Sequence, residues 1–390
     1  MLKADVEVDR RDFTVRAAIE VAVGERLALF GPSGAGKTTL LETIAGLVRP
    51  RSGLIELAGR TLTRTAAPAV AVPPWQRQVG LLRQDPGLFP HLSVRDNLAY
   101  ARATDPRGAE LTGLAGALGI GDLLDAMPAR LSGGQQHRAA LGRLLLAHCG
   151  VLLLDEPYSG LDAVLRRALT ALVVQLATER GVPAVLVAHE LPDAQAFANR
   201  IAVLDRGVVL QTGAPDQVVL RPAALRVAEL VGYLGFVPVP GRPGTVAGIH
   251  PDRVVPGAAP ADGLVLTGTI AASRPAGATF EVDLLCSARS SGAGQSGPGQ
   301  SGSSRPGTRL NDTGADGTGS FGAAGVIVTC RLADRPGTEG EALTVTALDP
   351  PCFGPDGAAV PWRGGPAPEL TAPVPGRPVP GGPASGRTGS

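Results

Sequence analysis

The chain has 390 residues, 44% of them hydrophobic and only 3% aromatic, with a formal net charge of +1. That is enough for one large or two modest cores built mainly from aliphatic side chains. The balance of 36 Lys+Arg against 35 Asp+Glu excludes a general electrostatic pull toward nucleic acid or an anionic membrane surface.

The four cysteines, Cys149, Cys286, Cys330 and Cys352, sit at no metal-ligand spacing and spell no disulfide framework, which points to a reduced, cytosolic compartment. The opening "MLKADVEVDRRDF" carries charges where a signal peptide needs an apolar run. No uninterrupted apolar stretch is long enough to span a bilayer, so any membrane role is expected to work through a partner.

In chain order, residues 2 to about 235 read as alternating strands and helices. "ERLALFG" predicts a short apolar strand entering a glycine turn, and "KTTLLETIAGL" a helix with Leu40, Leu41, Ile44 and Leu47 at helical spacing. "VLLLDEP" and "VPAVLVAHE" predict buried strands, with "LRRALTALVVQLATER" an amphipathic helix between them. Short apolar strands alternating with helices predict an α/β fold with a parallel sheet covered on both faces. The character changes near Gly241, where glycine, proline and short β-like runs take over. "GLVLTGTIAA", "ATFEVDLLC", "GVIVTCRLA" and "EALTVTAL" predict a small all-β domain over 241–362. Its polar, glycine-rich stretch at about 287–320 and the Pro/Gly-rich tail at 363–390 are expected to be disordered.

"GPSGAGKT" fits the phosphate-loop pattern G-x-x-x-x-G-K-[ST], placed after a strand and opening a helix. The candidate phosphate cradle is Gly31, Pro32, Ser33, Gly34, Ala35, Gly36, Lys37, Thr38 and Thr39. Backbone N–H groups from Gly34 to Thr39 are expected to point inward, with Lys37 on the β- and γ-phosphates and the Thr38 hydroxyl on Mg²⁺. Lys37 is one of only two lysines, with Lys3, and a compact ammonium there is not interchangeable with a guanidinium. Asp155 and Glu156 end an apolar run, where a core strand presents carboxylates beside the loop. Asp155 is expected to hold Mg²⁺ through water and Glu156 to polarise an attacking water. Ser132, Gly133, Gly134 and Gln135 open a second glycine-bearing helix start, with Ser132 as N-cap. Read alone, that stretch is a capped helix with Gln135, Gln136 and Arg138 facing solvent.

The order of these motifs resembles the ATP-binding subunits of ABC transporters, over residues 2–235. "LSGGQ" matches that family's signature motif, Gln84 its Q-loop, "SGLD" from Ser159 to Asp162 its D-loop and His189 its switch histidine. The resemblance implies a P-loop NTPase (RecA-like) sheet with a helical subdomain, followed by a small all-β (OB-like barrel) domain. It also implies a homodimer in which the phosphate loop of one chain and the signature of the other close on one ATP. ATP and Mg²⁺ are the implied cofactors. Glu156, His189, Lys37 and Gln84 are the implied catalytic group, with Thr38, Gln84 and Asp155 at the metal.

The family usually stacks an aromatic ring on adenine near the position of Arg10; Phe13, slightly beyond, reads as a core residue. Arg83, His137 and Glu190 also depart from the usual residues. "GIHPDRVV" resembles the entry to a TOBE-type β domain, which suggests a regulatory or dimer-stabilising role. The overall look is nearest to molybdate importer ATPases. This implies a peripheral subunit at the cytoplasmic face of the membrane, bound to integral permease subunits around residues 84–100 and served indirectly by a substrate-binding protein, with no nucleic acid. An iron, polyamine or sugar importer subunit and a soluble non-transport ABC protein are the alternatives.

Overall fold

The computed structural model describes residues 1–100, 108–158, 160–239, 242–257, 263–286, 326–334 and 336–361. The segments expected to be disordered, 287–320 and 363–390, lie outside the described residues. Packing divides the chain between Ala223 and Ala224 into two compact units.

The first unit opens with β1 (Leu2–Asp9) and β2 (Thr14–Val21), whose side chains alternate between buried and exposed. Then follow β3 (Arg26–Phe30), α1 (Lys37–Ala45), β4 (Ser52–Leu57), β5 (Arg60–Arg64), β6 (Val70–Ala71) and β7 (Val79–Leu82). Helices α2 (Val94–Tyr100), α3 (Ala109–Ala117) and α4 (Gly133–Leu146) form a helical insertion before β8 (Val151–Asp155). The unit closes with α5 (Ala163–Arg180), β9 (Ala184–Ala188), α6 (Leu191–Phe197), β10 (Arg200–Asp205), β11 (Val208–Gly213) and α7 (Pro215–Leu220).

These strands make one sheet in the order β6-β5-β4-β1-β2-β11-β10-β3-β9-β8-β7. The expected parallel sheet is present as one half of a larger mixed sheet. Strands β10, β3, β9, β8 and β7 run parallel, whereas β6, β5, β4, β1 and β2 are joined antiparallel. The sequence carries the physical reason. β8 and β9 are buried at every position, as strands covered on both faces must be. β1 and β2 alternate and are linked by a turn too short for a parallel crossover. The core beneath them joins Leu2, Val6, Val15, Leu29, Leu40, Leu41, Ile44 and Leu153. A second correction concerns Leu47. Helix α1 stops at Ala45 because Gly46 turns left-handed (φ 86°) and returns its N–H to Glu42 and Thr43 carbonyls. Leu47 lies past that stop and is 51% exposed.

The second unit contains α8 (Leu225–Leu230) and strands β12 (Gly235–Pro238), β13 (Val246–Ile249), β14 (Val254–Pro256), β15 (Gly263–Ala276), β16 (Thr279–Cys286), β17 (Val326–Leu332), β18 (Ala342–Leu348), β19 (Cys352–Phe353) and β20 (Ala359–Val360). They pair as β12-β13-β19-β20 and β14-β18-β15-β16-β17, antiparallel throughout. One aliphatic core, including Val237, Ile249, Leu266, Leu284 and Val328, joins the two sheets. The division between units falls before the 235 expected from sequence. Ala224 bridges Ala358 and the Leu225 N–H meets the Gly357 carbonyl, which ties this stretch to the β unit.

Candidate functional site

Strand β3 delivers the chain into the phosphate loop. A Cβ on Gly31 would sit 1.9 Å from the Leu204 carbonyl oxygen, and one on Gly36, at φ 103°, 2.7 Å from Val15. Only glycine lets the loop curl this tightly against β10 and β2. Lys37 is 5% exposed, and its Nζ donates to the carbonyls of Gly31 (2.7 Å) and Pro32 (2.8 Å). Burial pushes its pKa down, opposed by the nearby charges of Glu156 and Asp155. A buried ammonium with two carbonyl partners and, among the described residues, no ion pair within 4 Å favours a negatively charged ligand. Within the loop the Ala35 N–H donates to the Pro32 carbonyl at 3.2 Å, closing a turn over 32–35.

Strand β8 runs parallel to β9 and carries the carboxylates to the same edge. The Thr38 hydroxyl donates to Asp155 Oδ1 at 3.1 Å. Asp155 is 3% exposed, and burial raises its pKa, partly offset by Thr38 and Lys37. Glu156 has φ 49°, a left-handed conformation rare for a side chain of this kind and a recurrent mark of functional sites. Its Oε2 lies 3.8 Å from His189 Nδ1, at the end of β9. Lys37, Thr38, Asp155, Glu156 and His189 therefore converge.

Gln84 and the signature turn were also expected at nucleotide but make no direct bond to these five side chains. Among the described residues, no hydrogen bond or ion pair links Gln84 or Ser132–Gln135 to them. Ser132 caps α4 through a reciprocal box: its side chain accepts from the Gln135 N–H, and the Gln135 side chain accepts from the Ser132 N–H at 2.8 Å. Gly133 has nothing near its Cβ position, so the backbone of this helix start is open to approach. Gln136 and Arg138 are not simply solvated. The Gln136 amide donates to the Pro128 carbonyl, and Arg138 to those of Leu118 and Gly119. Asp162 caps α5, accepting from the N–H groups of Val164 and Leu165. Ser159 lies outside the described residues.

Arg10 is engaged rather than free: Nε donates to Thr39 Oγ1 at 2.8 Å and Nη2 lies 3.6 Å from Glu42. Phe13 packs on the core beside the loop. Two arginines beside these motifs were not singled out from the sequence. Arg143 of α4 donates to the carbonyls of Pro86 and Gly87, just after Gln84, and sits 5.0 Å over the Phe89 ring. Arg166 of α5 pairs with Glu190, next to His189, at 2.6 Å. Each sits on a helix face that reads as solvent-facing, and their partners are far away in sequence.

Residues 16–159 match the ABC transporter family. Over 200 residues the chain is 42% identical to the thiamine import ATP-binding protein ThiQ of Vibrio vulnificus (strain YJ016), using 50% of this chain and 82% of that protein. The chain belongs to the ABC transporter family of ATP-binding proteins. This ABC protein is also 41% identical over 239 residues to the molybdenum import ATP-binding protein ModC of Mesorhizobium japonicum, over 60% of this chain. It spans 64% of that relative's length, a little under two thirds. Among solved structures, a bacterial Atm1-family ABC exporter with ATP bound aligns with a TM-score of 0.51 and 27% identity, over 59% of this chain and 41% of the other. The first unit is thus the P-loop sheet with helical insertion that the motifs predict, followed by a small all-β unit. Among the described residues, no helix is long and apolar enough to cross a membrane.

Proposed function

We propose that this chain is the ATP-hydrolysing subunit of an ABC importer and works as a homodimer. The observation that carries the reading is the convergence of Thr38, Asp155, Glu156 and His189 beside the buried Lys37. Lys37 and the first-turn N–H groups of α1 would receive the phosphates, since a helix start and a buried ammonium both favour negative charge. Glu156 would orient and polarise the attacking water, and His189, within 3.8 Å of it, would hold that carboxylate and meet the γ-phosphate. The donor set fits magnesium: hard oxygens from a threonine and a buried aspartate, already 3.1 Å apart. Thr38 and Asp155, with Gln84, would hold the ion, which when bound neutralises charge on the phosphates.

The backbone at Ser132–Gln135, which among the described residues makes no hydrogen bond to this chain's own Lys37 loop, suits capping of a nucleotide held by a second copy. Gln84 would report that closure to permease subunits at the cytoplasmic face. Replacing Glu156 by Gln should trap a dimer with ATP and Mg²⁺, measured by light scattering. A variant that stays monomeric at saturating nucleotide would sink the composite site.

For cargo we propose an oxyanion such as molybdate, delivered by a binding protein. The names of two relatives favour it: the molybdenum importer subunit and a sulfate/thiosulfate import ATP-binding protein of Chromobacterium violaceum, 40% identical over 244 residues. An iron or sugar importer is the second reading, on relatives named for Fe(3+) ions and trehalose/maltose, each 40% identical over 223 residues. Turnover of the assembled complex, stimulated by molybdate-loaded but not iron- or sugar-loaded binding protein, decides between them.

A further inference from the structure

Next to the converged cluster lies a cleft of about 240 Å³, bounded by Glu156, Tyr158, Arg166, His189, Glu190 and Asp193. Arg166, in the first turn of α5, reaches across it. Its Nη1 lies 2.6 Å from Glu190 Oε2 and 3.4 Å from Asp193 Oδ2, and its Nη2 donates to the Leu161 carbonyl at 3.4 Å. Its buried Nε has no hydrogen-bond partner among the described residues. Glu190 caps α6 without using its side chain on the helix, so its carboxylate is available sideways. The other Glu190 oxygen, Oε1, stands 3.8 Å from His189 Nε2, while Glu156 Oε2 stands 3.8 Å from Nδ1. The imidazole is therefore flanked by a carboxylate on each nitrogen, and Arg166 holds one of the two.

Stability alone gives a weak reason for this arrangement. The Arg166 and Glu190 side chains are 26% and 47% exposed, and ion pairs so open to water add little to stability. What the arrangement fixes is geometry: one guanidinium fork links the segment before α5 to the segment carrying His189.

We propose that Arg166 is a positioning residue for hydrolysis, clamping Glu190 and the Leu161 carbonyl so that the His189 ring stays aligned on Glu156. The inference rests on the ATPase reading above. Arg166 reaches no nucleotide group itself; it acts through Glu190. Releasing it frees Glu190 to swing, leaves the Glu190 and Asp193 carboxylates facing each other unneutralised, and loosens the ring that holds Glu156.

The test uses the full chain. Arg166→Ala should lower kcat for ATP about tenfold, with KM changed by less than about twofold, because the Lys37 loop is untouched. Arg166→Lys should recover part of the rate, since it restores charge without the fork. Glu190→Gln should lower kcat in the same sense, and the double variant should fall no further than the worse single one. A kcat for Arg166→Ala within about twofold of wild type, or losses that multiply in the double variant, overturns the proposal. Amide exchange over residues 189–194 supplies a readout independent of turnover: it should quicken in Arg166→Ala while the Lys37 helix is unchanged. Unchanged exchange overturns the clamp even if the wild type fails to turn over, a failure that would count against the ATPase reading itself.

Discussion

The two units bury different things. Among the described residues, every buried charged side chain lies in the α/β unit: Lys37, Arg77, Asp155 and Asp205. The β unit buries only Thr329 and Thr346 as polar side chains, beside an aliphatic core with three thiols. Burying charge is costly unless something compensates it. Arg77 is compensated within the fold, donating to the Thr43 and Ile44 carbonyls at the end of α1 and to the Val72 carbonyl. Lys37 and Asp155 lie instead at the edge of the sheet where strands β3 and β8 end, with pKa values displaced in the senses that burial imposes. The α/β unit thus buries a pair of opposite charges at the end of its sheet, and among the described residues the β unit buries no charged side chain.

That contrast breaks most sharply at Glu156. Glu156→Gln keeps shape and burial but removes the carboxylate beside His189, so turnover should fall by about 100-fold or more, some 3 kcal/mol of barrier. ATP binding should persist. Steady-state phosphate release with parallel nucleotide-binding titration measures both, and comparable losses in the two would mean that Glu156 only supports the loop. The next largest effect belongs to the other unit. Leu284 is fully buried in the β core, and Leu284→Ala should cost about 2–5 kcal/mol in that unit's unfolding. Its ATP affinity should match wild type; a parallel loss of affinity would show that the β core supports the nucleotide site.

A smaller effect of opposite sign is expected at Asp155. Its raised pKa means that the native state binds a proton more readily than the unfolded chain. Its charge therefore opposes folding at neutral pH, and stability should rise as pH falls from the raised value toward the ordinary carboxylate range. Asp155→Asn keeps an oxygen for the Thr38 hydroxyl and removes the buried charge. The protein without nucleotide should gain stability, read as a higher thermal midpoint, while magnesium-dependent nucleotide binding weakens. A midpoint that falls would place Asp155 among the structural charges with Arg77.

How much of this was legible depended on whether a residue's partner is local. The phosphate loop and the Ser132 cap act through their own backbone, and the Asp155–Glu156 pair closes a continuous apolar run, so short strings disclosed all three. Leu47 was misplaced because helical spacing continues past Ala45, whereas the left-handed turn at Gly46 ends the helix. The mixed sheet was missed although the alternation in β1 and β2 carried it. Arg77, Arg143 and Arg166 were illegible for a different reason. An arginine's function lies in the carbonyls and carboxylates that its fork reaches, and those arrive from remote segments: Pro86 and Gly87 for Arg143, Glu190 and Asp193 for Arg166.

The smallest expected effect tests whether the signature helix shares the β unit's quiet interior or the phosphate edge's buried charge. His137 follows the signature in α4, and its Nε2 is buried without a hydrogen-bond partner among the described residues. Burial lowers its pKa, opposed by Asp85 and by the Gly133 backbone. A histidine depressed in the native state takes up its proton later than the unfolded chain does, so stability is lost as pH falls below about 6.5, the unfolded value. The loss ceases to grow once pH passes below the native value, and it amounts to about 1.4 kcal/mol per unit of displacement. His137→Gln removes the titration. Denaturant unfolding at pH 7.5 and pH 5.5, values chosen to bracket about 6.5, should show wild type losing more stability than the variant over that step. Equal losses would mean that His137 charges in place, with Asp85 as its counter-ion, and that the signature helix tolerates charge as the phosphate edge does.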